Sequence, residues 1–504
     1  MNAGPELATT ADQWRATVVR RVAAGERFAG LFGTAVPGGC RVTALLARAG
    51  GFDAVHVQVR PDSTGRLSYP ALTPVVPSAF WYERAARDLS GLVPRGHPRL
   101  DPLLLPVEQG SDRPRPGHRG EPGDRPEVRA VSPDAPVDVS GRGMFTISFG
   151  PVRSGVSESI EFLLETPGED IPHLNIRPHY KHRGVAKSFE GLSVEDGVLV
   201  AERVEGIASI AHALAFSHAA EDAAGTSVPQ RARLIRVVHA ELERIANHLD
   251  VATRLADAAG LAVATSRFAW HKESVMRLTS RLCGSRFGRA VVVPGGVRAE
   301  PLLSPRIAAD ELHAIHRRIV ADAELAMSTP SFLDRLRGTG HLAPAHARRW
   351  GALGPVGRAS GVDDDNRWTR PTDAYGELPG PPTRLTSDAG DVMARLRIRW
   401  DEIDASVALV TQALAGLERA PAGPLRTTPE ISSGTVVGLG WAEAPQGEAL
   451  HVLELQDGRI VRCFARSASL HNLVLFHDVF HGDVFTDFAF NEASFGLGYA
   501  GVAM

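Results

Sequence analysis

Residues 229–260 read PQRARLIRVVHAELERIANHLDVATRLADAAG and set Leu234, Val238, Leu242, Ile245 and Leu249 at steps of 4, 4, 3 and 4. That spacing is a single apolar stripe on one long helix, with Pro229 at its start and Gly260 at its end. Upstream, 198–225 (VLVAERVEGIASIAHALAFSHAAEDAAG) puts Val204, Ile207, Ala211 and Leu214 on one helical face. Its many small residues predict close packing against a neighbour. A third amphipathic helix is predicted over 391–420. Residues 434–466 alternate as strands around a Gln456-Asp457-Gly458 turn, which predicts a short antiparallel β region.

Working outward, 111–141 carries six prolines among mixed charges and almost no large apolar residue. Such a segment cannot bury enough surface to offset its ordering entropy. Before it, 10–25 has helical spacing, Val55, Val57 and Val59 alternate as a half-buried strand does, and 78–93 predicts a helix with Ser78 as N-cap. The expected fold class is therefore α+β. A small α/β N-terminal domain occupies 1–107, a Pro-rich flexible linker 108–141, and a large, mainly helical domain 142–504.

Composition removes several functions. A net charge of −3 leaves no electrostatic footprint for nucleic acid. The only cysteines are Cys40, Cys283 and Cys463, far apart in sequence, so neither a disulfide framework nor a Cys-ligated cluster can be built by this chain alone. The start, MNAGPELATTADQW, lacks a basic stretch followed by an apolar one, and no run nears the roughly 18 apolar residues of a spanning helix. A cytoplasmic chain is expected.

Several ordered blocks then carry a resemblance. Residues 149–221, beginning FGPVRSGVSESIEFLLETPGEDIPHLNIRPHYKHRG, are similar to the opening of the large subunit of membrane-bound [NiFe]-hydrogenases and of its complex I relative. VPQRARLIRVVHAELERIANHL, FAWHKESVMRL, VVVPGGV, GPVGRASGVDDDNRW and EAPQGEALHVL resemble further blocks of that family, in the same order. AFWYERAARDLSGLVPRGHPRLDPLLLP resembles the small peripheral-arm complex I subunit. The two fused in this order is the arrangement of formate-hydrogenlyase large subunits. The large domain is thus expected to be hydrogenase-large-subunit-like.

The family holds its nickel–iron centre with two thiolate pairs, in an R-x-C-G-x-C block and a D-P-C-x-x-C block; soft sulfur suits both metals. Here the blocks read Arg203-Val204-Glu205-Gly206-Ile207-Ala208 and Asn491-Glu492-Ala493-Ser494-Phe495-Gly496. Glu205, Ala208, Ala493 and Gly496 stand at the four ligand positions, and Gln446 replaces the family's Arg in E-A-P-R-G. The resemblance therefore implies an oxidoreductase subunit with no metal site and no cofactor of its own, not an active [NiFe]-hydrogenase. The chain runs only a few residues past Gly496, so no tail for nickel-dependent processing is expected. The complex I relative uses the vacated cavity for quinone; at its His and Tyr positions stand Arg153 and Val194.

Three residues are expected to be catalytic. Glu205 and His212, spaced with Ser209 at i, i+4 and i+7, would share a helix face as a carboxylate–imidazole relay or as a satisfied buried polar cluster. Arg153 would donate to a quinone-like acceptor. His182, Arg183, Arg203 and His248 match family positions near the [4Fe-4S] cluster of a partner small subunit, where they tune its potential or simply pack the interface. Expected partners are that iron–sulfur subunit, a ferredoxin-like subunit and antiporter-like membrane subunits, holding the chain on the inner face of the cell membrane. The expected activity is electron transfer linked to NAD(P)H or formate with a quinone-type acceptor. The alternative is a redox-inactive scaffold that couples a partner's electron transfer to ion translocation. His477 and His481, spaced i, i+4 near Asp483, offer a weaker candidate for zinc.

Overall fold

A computed structural model describes residues 6–106, 139–153, 158–380 and 385–504. Most of the expected linker, residues 108–138, lies outside the described residues. The fold is α+β, as its residue patterns predict.

Strand β1 (Glu6–Leu7) and helix α1 (Ala11–Ala23) lead into β2 (Arg27–Val36), β3 (Gly39–Arg48) and β4 (Gly51–Val59). The sheet order is β1-β4-β3-β2, with β1 parallel to β4 and the rest antiparallel. Thr10 caps α1 by accepting from the Gln13 N–H at 3.2 Å. Val55, Val57 and Val59 are all buried, as their alternation requires. Helix α2 (Phe80–Ser90) covers the sheet. Ser78 is not its cap: it lies in a short 3-10 turn, Pro77–Ala79, that leads straight into the helix.

In the larger part, the expected helix over 198–225 is two helices. Val194–Ala201 ends before a loop, and α3 (Ser209–Ala224) begins after it. Helix α4 (Gln230–Ala258) buries Leu234, Val238, Leu242, Ile245 and Leu249 as one stripe. It packs between α5 (Ala262–Cys283) and α6 (Val392–Arg419), the latter capped by Asp391, which accepts from the Ala394 N–H at 2.8 Å.

Strands β5 (Thr435–Ala444), β6 (Gly447–Gln456) and β7 (Arg459–Arg466) form the expected antiparallel sheet. Helix α3 lies directly on β5. A methyl on Gly438 would sit 1.9 Å from the Ala219 carbonyl oxygen, and one on Gly440 2.1 Å from that of Ala215. Only glycine lets strand and helix touch backbone to backbone, and this fixes α3 over the sheet.

The two parts share one core. It runs from Trp14, Val42 and Val57 to Phe162, Phe476, Phe488 and Tyr499. Across the seam Phe32 stacks on Phe464, centroids 4.4 Å apart, and Phe52 packs on Trp441 at 5.1 Å.

Candidate functional site

Glu205 sits in the loop between the Val194–Ala201 helix and α3, 1% exposed. Its carboxylate accepts from the Ser467 and Ser469 hydroxyls, both at 2.6 Å. The Ser469 hydroxyl in turn accepts from the Gly498 N–H at 3.1 Å. A Cβ on Gly498 or Gly501 would lie 2.3 or 2.6 Å from the Glu205 carboxyl. The carboxylate is therefore packed against the 498–501 backbone on that side.

His212, one turn into α3 and fully buried, brings Nε2 to 3.5 Å from Glu205 Oε2. That is an electrostatic contact; proton transfer needs it to close into the roughly 2.7–3.2 Å hydrogen-bond range. His212 Nδ1 lies 3.1 Å from His451 Nε2, so one ring donates to the other. His451 Nδ1 is 3.7 Å from Cys463 Sγ. Burial holds His451 well below the usual imidazole range, with His212 adding to it, and pushes the Cys463 thiol up. Glu205, His212, His451 and Cys463 thus form a buried line contributed by a loop, a helix and two strands. Ser209 is not in it: its hydroxyl has no partner among the described residues.

The residues that the resemblance places at the four ligand positions do not fit a nickel–iron centre. They supply one carboxylate, already engaged, and no thiolate. Gly496 holds φ +64°, and a Cβ there would meet Val251 Cγ2 at 2.8 Å and an Arg399 Nη at 3.0 Å. Ala208 and Ala493 are buried among apolar side chains. The Gln446 amide is buried, with neither polar atom partnered among the described residues.

Arg153 lies apart from this line. Its guanidinium stands over Phe149 at 4.5 Å and Phe162 at 5.2 Å and pairs with Glu492 at 2.5 Å. The Tyr499 hydroxyl donates to the same carboxylate. The arginine's charge is committed there. Val194 opens its own helix and packs in the core.

Arg183 donates to the carbonyls of Arg203, at 3.1 Å, of Val204 and of Ala500, at 3.0 Å. It clamps the Glu205 loop to the C-terminal segment. Arg203 itself is 55% exposed. Burial lowers His182 below the usual imidazole value, and its Nδ1 has no partner among the described residues. These three residues are neighbours; His248 is not with them. It lies inside α4 with Nε2 2.9 Å from Glu402 Oε2.

That contact opens a buried network that the motifs did not reveal. Glu402 also binds Arg358 at 2.7 Å, Arg358 binds Glu443 at 3.0 Å, and Asn366 joins Glu443 to Glu448 by bonds of 3.2 and 3.1 Å. Glu448 binds Arg27 of β2 at 2.6 Å and also pairs with Arg466. Burial works against its charge, but Arg27, Arg466 and Arg370, the last 3.7 Å away, hold its carboxyl far below the usual range. The only signal in the sequence is the density of charged residues between apolar ones in 358–370 and 443–448.

The His477/His481 pair does not share a helix face. Residues Val474–Phe480 are a 3-10 helix, whose three-residue turn rotates i+4 away from i. His477 instead binds Asp478 at 3.0 Å, which His346 also binds at 2.7 Å. Among the described residues no cluster of three His, Cys, Asp or Glu side chains could hold a metal ion.

Residues 260–435 match the family described as respiratory-chain NADH dehydrogenase, 49 Kd subunit, and 26–116 match its 30 Kd subunit. The chain is 30% identical to formate hydrogenlyase subunit 5 of Escherichia coli K12, over 86% of this chain and 76% of that protein. It is 31% identical to hydrogenase-4 component G of the same organism, over 86% and 75%. A chain of an archaeal respiratory membrane complex, the membrane-bound sulfane sulfur reductase, shares the fold with TM-score 0.66 and 21% identity, covering 72% of this chain and 99% of that one.

Proposed function

The chain belongs to the family of formate hydrogenlyase subunit 5 and hydrogenase-4 component G, and from that premise we propose a large subunit that works without a nickel–iron centre. It serves a hydrogenase-like or complex I-like electron-transfer complex. It docks an iron–sulfur small subunit whose [4Fe-4S] cluster carries the electrons, and ferredoxin-like and antiporter-like membrane subunits complete the assembly. No helix among the described residues is long and apolar enough to cross a membrane, and the proposal assigns membrane attachment to those partners.

One observation carries this reading: the carboxylate of Glu205, which the resemblance places at the first ligand position, is held by two serine hydroxyls beside His212. A buried carboxylate and imidazole side by side can pass a proton in step with an electron arriving nearby. Glu205 receives and releases the proton at a carboxylate oxygen, His212 at Nε2, and the serines keep the carboxylate oriented. A quinone-type acceptor is part of the proposal through the family resemblance. Arg153, held by Glu492, argues against itself as the donor to that acceptor.

The test is metal analysis of the purified complex together with turnover of Glu205→Gln and His212→Ala. The expected result is no stoichiometric nickel and turnover slowed by on the order of a hundredfold in both variants, the lower end for a lost general acid or base. Stoichiometric nickel, or unchanged turnover in both, overturns the reading.

The scaffold alternative has its own support in the Arg183 clamp, which links the Glu205 loop to Ala500 mechanically. Turnover lost in Arg183→Ala but kept in Glu205→Gln and His212→Ala favours it.

A further inference from the structure

A cavity of about 130 Å³ lies beside the Glu205 loop, between α4, α5 and the start of α3. Gly206, Ile210, Met276 and Phe287 contribute its apolar wall, and His239, Glu243 and Asn247 of α4 its polar one. We propose that this cavity is a water-filled inlet that delivers protons to Glu205, with Glu243 as the acid that takes them up. This deepens the relay reading and rests on it.

The first support is the position of Glu243. Its carboxylate accepts from the backbone N–H groups of Ile210, at 2.7 Å, and Ala211, at 3.1 Å. It closes the N-terminus of the helix that carries His212, where its oxygens take up two N–H groups that the helix itself leaves unpaired. It therefore touches both the cavity and the element that holds the relay, and Gly206, next to Glu205, lines the same space.

The second support is independent. His239 is 2% exposed, and its Nδ1 has no partner among the described residues. That nitrogen lies 3.8 Å from where a Cβ on Gly288 would sit, and Gly288 lines the cavity. A buried imidazole nitrogen facing a cavity is satisfied by water. A single water needs roughly 10–15 Å³ of such space, so this cavity holds several. Lys272 and Asp250, paired at 2.6 Å and both partly exposed, also line the cavity, so that side of it lies at the surface.

The charges around Glu243 suit the task. Burial is the main influence and pushes its carboxyl up; the two N–H groups and Arg244 pull it down, and the nearby Glu205 pushes it up again. The balance sets it at about 8, so it is protonated at neutral pH. Burial lowers His239 to about 4, leaving it a neutral water ligand. In the transfer itself the proton leaves the Glu243 carboxyl, crosses on cavity water to the Glu205 carboxylate and moves on to His212 Nε2. Glu243 is left as a carboxylate and takes its next proton from solvent through the inlet.

The experiment uses the assembled complex. Infrared titration follows the C=O band of protonated carboxyl groups, and turnover is measured against pH. The expected result is a band with a midpoint near pH 8 that is absent in Glu243→Gln, and turnover in that variant slowed by on the order of a hundredfold, with the alkaline inflection gone. A Glu243→Gln complex with the rate and pH profile of the parent, alongside a slowed Glu205→Gln complex, overturns the inlet and leaves the relay standing. An unaffected Glu205→Gln complex removes the relay and the inlet with it. Should Glu243→Gln fail to assemble, Ala246→Leu narrows the cavity and keeps the acid. Slowed turnover with the band retained supports the inlet, and the parent rate overturns it.

Discussion

Glu205 Oε2 and His212 Nε2 lie 3.5 Å apart although the helix that carries His212 begins only at Ser209. The pair is made by a loop folding back over the helix start, and the Arg183 clamp on the carbonyls of Arg203 and Val204 holds that loop in place. The contact depends on the loop, so changes that loosen it act on the relay without touching either partner.

Ser469→Ala should lower stability by about 1–3 kcal/mol, the cost of leaving buried groups unpaired. Both the Glu205 carboxylate and the Gly498 N–H lose a partner. Urea unfolding of parent and variant measures the difference, and equal midpoints would show that water replaces the hydroxyl.

Gly496→Ala should be destabilising by roughly 1–3 kcal/mol through overpacking alone. The new methyl meets Val251 and Arg399, and φ +64° adds strain for any residue with a Cβ. A variant as stable as the parent in denaturant melts would mean that the space around Gly496 has slack.

The buried pair of His218 and Asp373, 2.9 Å apart, gives a defined pH window. Burial works against both charges, but His218 and Arg236 bring Asp373 down to about 2, and Asp373 raises His218 above its ordinary value. The aspartate's contribution is present above its unfolded pKa of about 3.9 and is lost as pH falls through about 2. The histidine's is complete below its unfolded pKa of about 6.5 and is lost as pH rises through its raised folded value. Together they stabilise most between about pH 4 and 6.5. In Asp373→Asn the His218 ring, followed by NMR, should titrate lower than in the parent, because burial and Arg236 are then opposed only by the more weakly acting Glu221. An unchanged titration would assign the upward shift to another group.

What the sequence made legible was periodic. The Leu234–Leu249 stripe, the 55–57–59 alternation and the Gln456–Gly458 turn, where Asp457 and Gly458 both take positive φ, follow from local chemistry. The break at 202–208 was not legible, because Val204 and Ile207 keep helical spacing through a loop that Arg183 fixes from outside. His451 was missed although it carried a signal: an ionisable residue amid the apolar Ala449, Leu450, Val452 and Leu453 must be buried and therefore partnered. Its partner, His212, is 239 residues away, a pairing no local pattern encodes. Arg153 was placed in the family's quinone position by its motif, but only the fold supplies Glu492 and the rings around it.

Arg27 completes the charge balance of Glu448 from the far side of the seam. If the two parts came apart, that carboxylate would be left with fewer counter-charges and Arg27 would lose a partner, while Phe32 and Phe52 would be stripped of Phe464 and Trp441. The peptide connection between the parts is therefore dispensable once folding is done. A protease cut anywhere between residues 107 and 138 should leave two fragments that travel as one particle on gel filtration, and neither fragment is suited to exchange for its counterpart from a related chain.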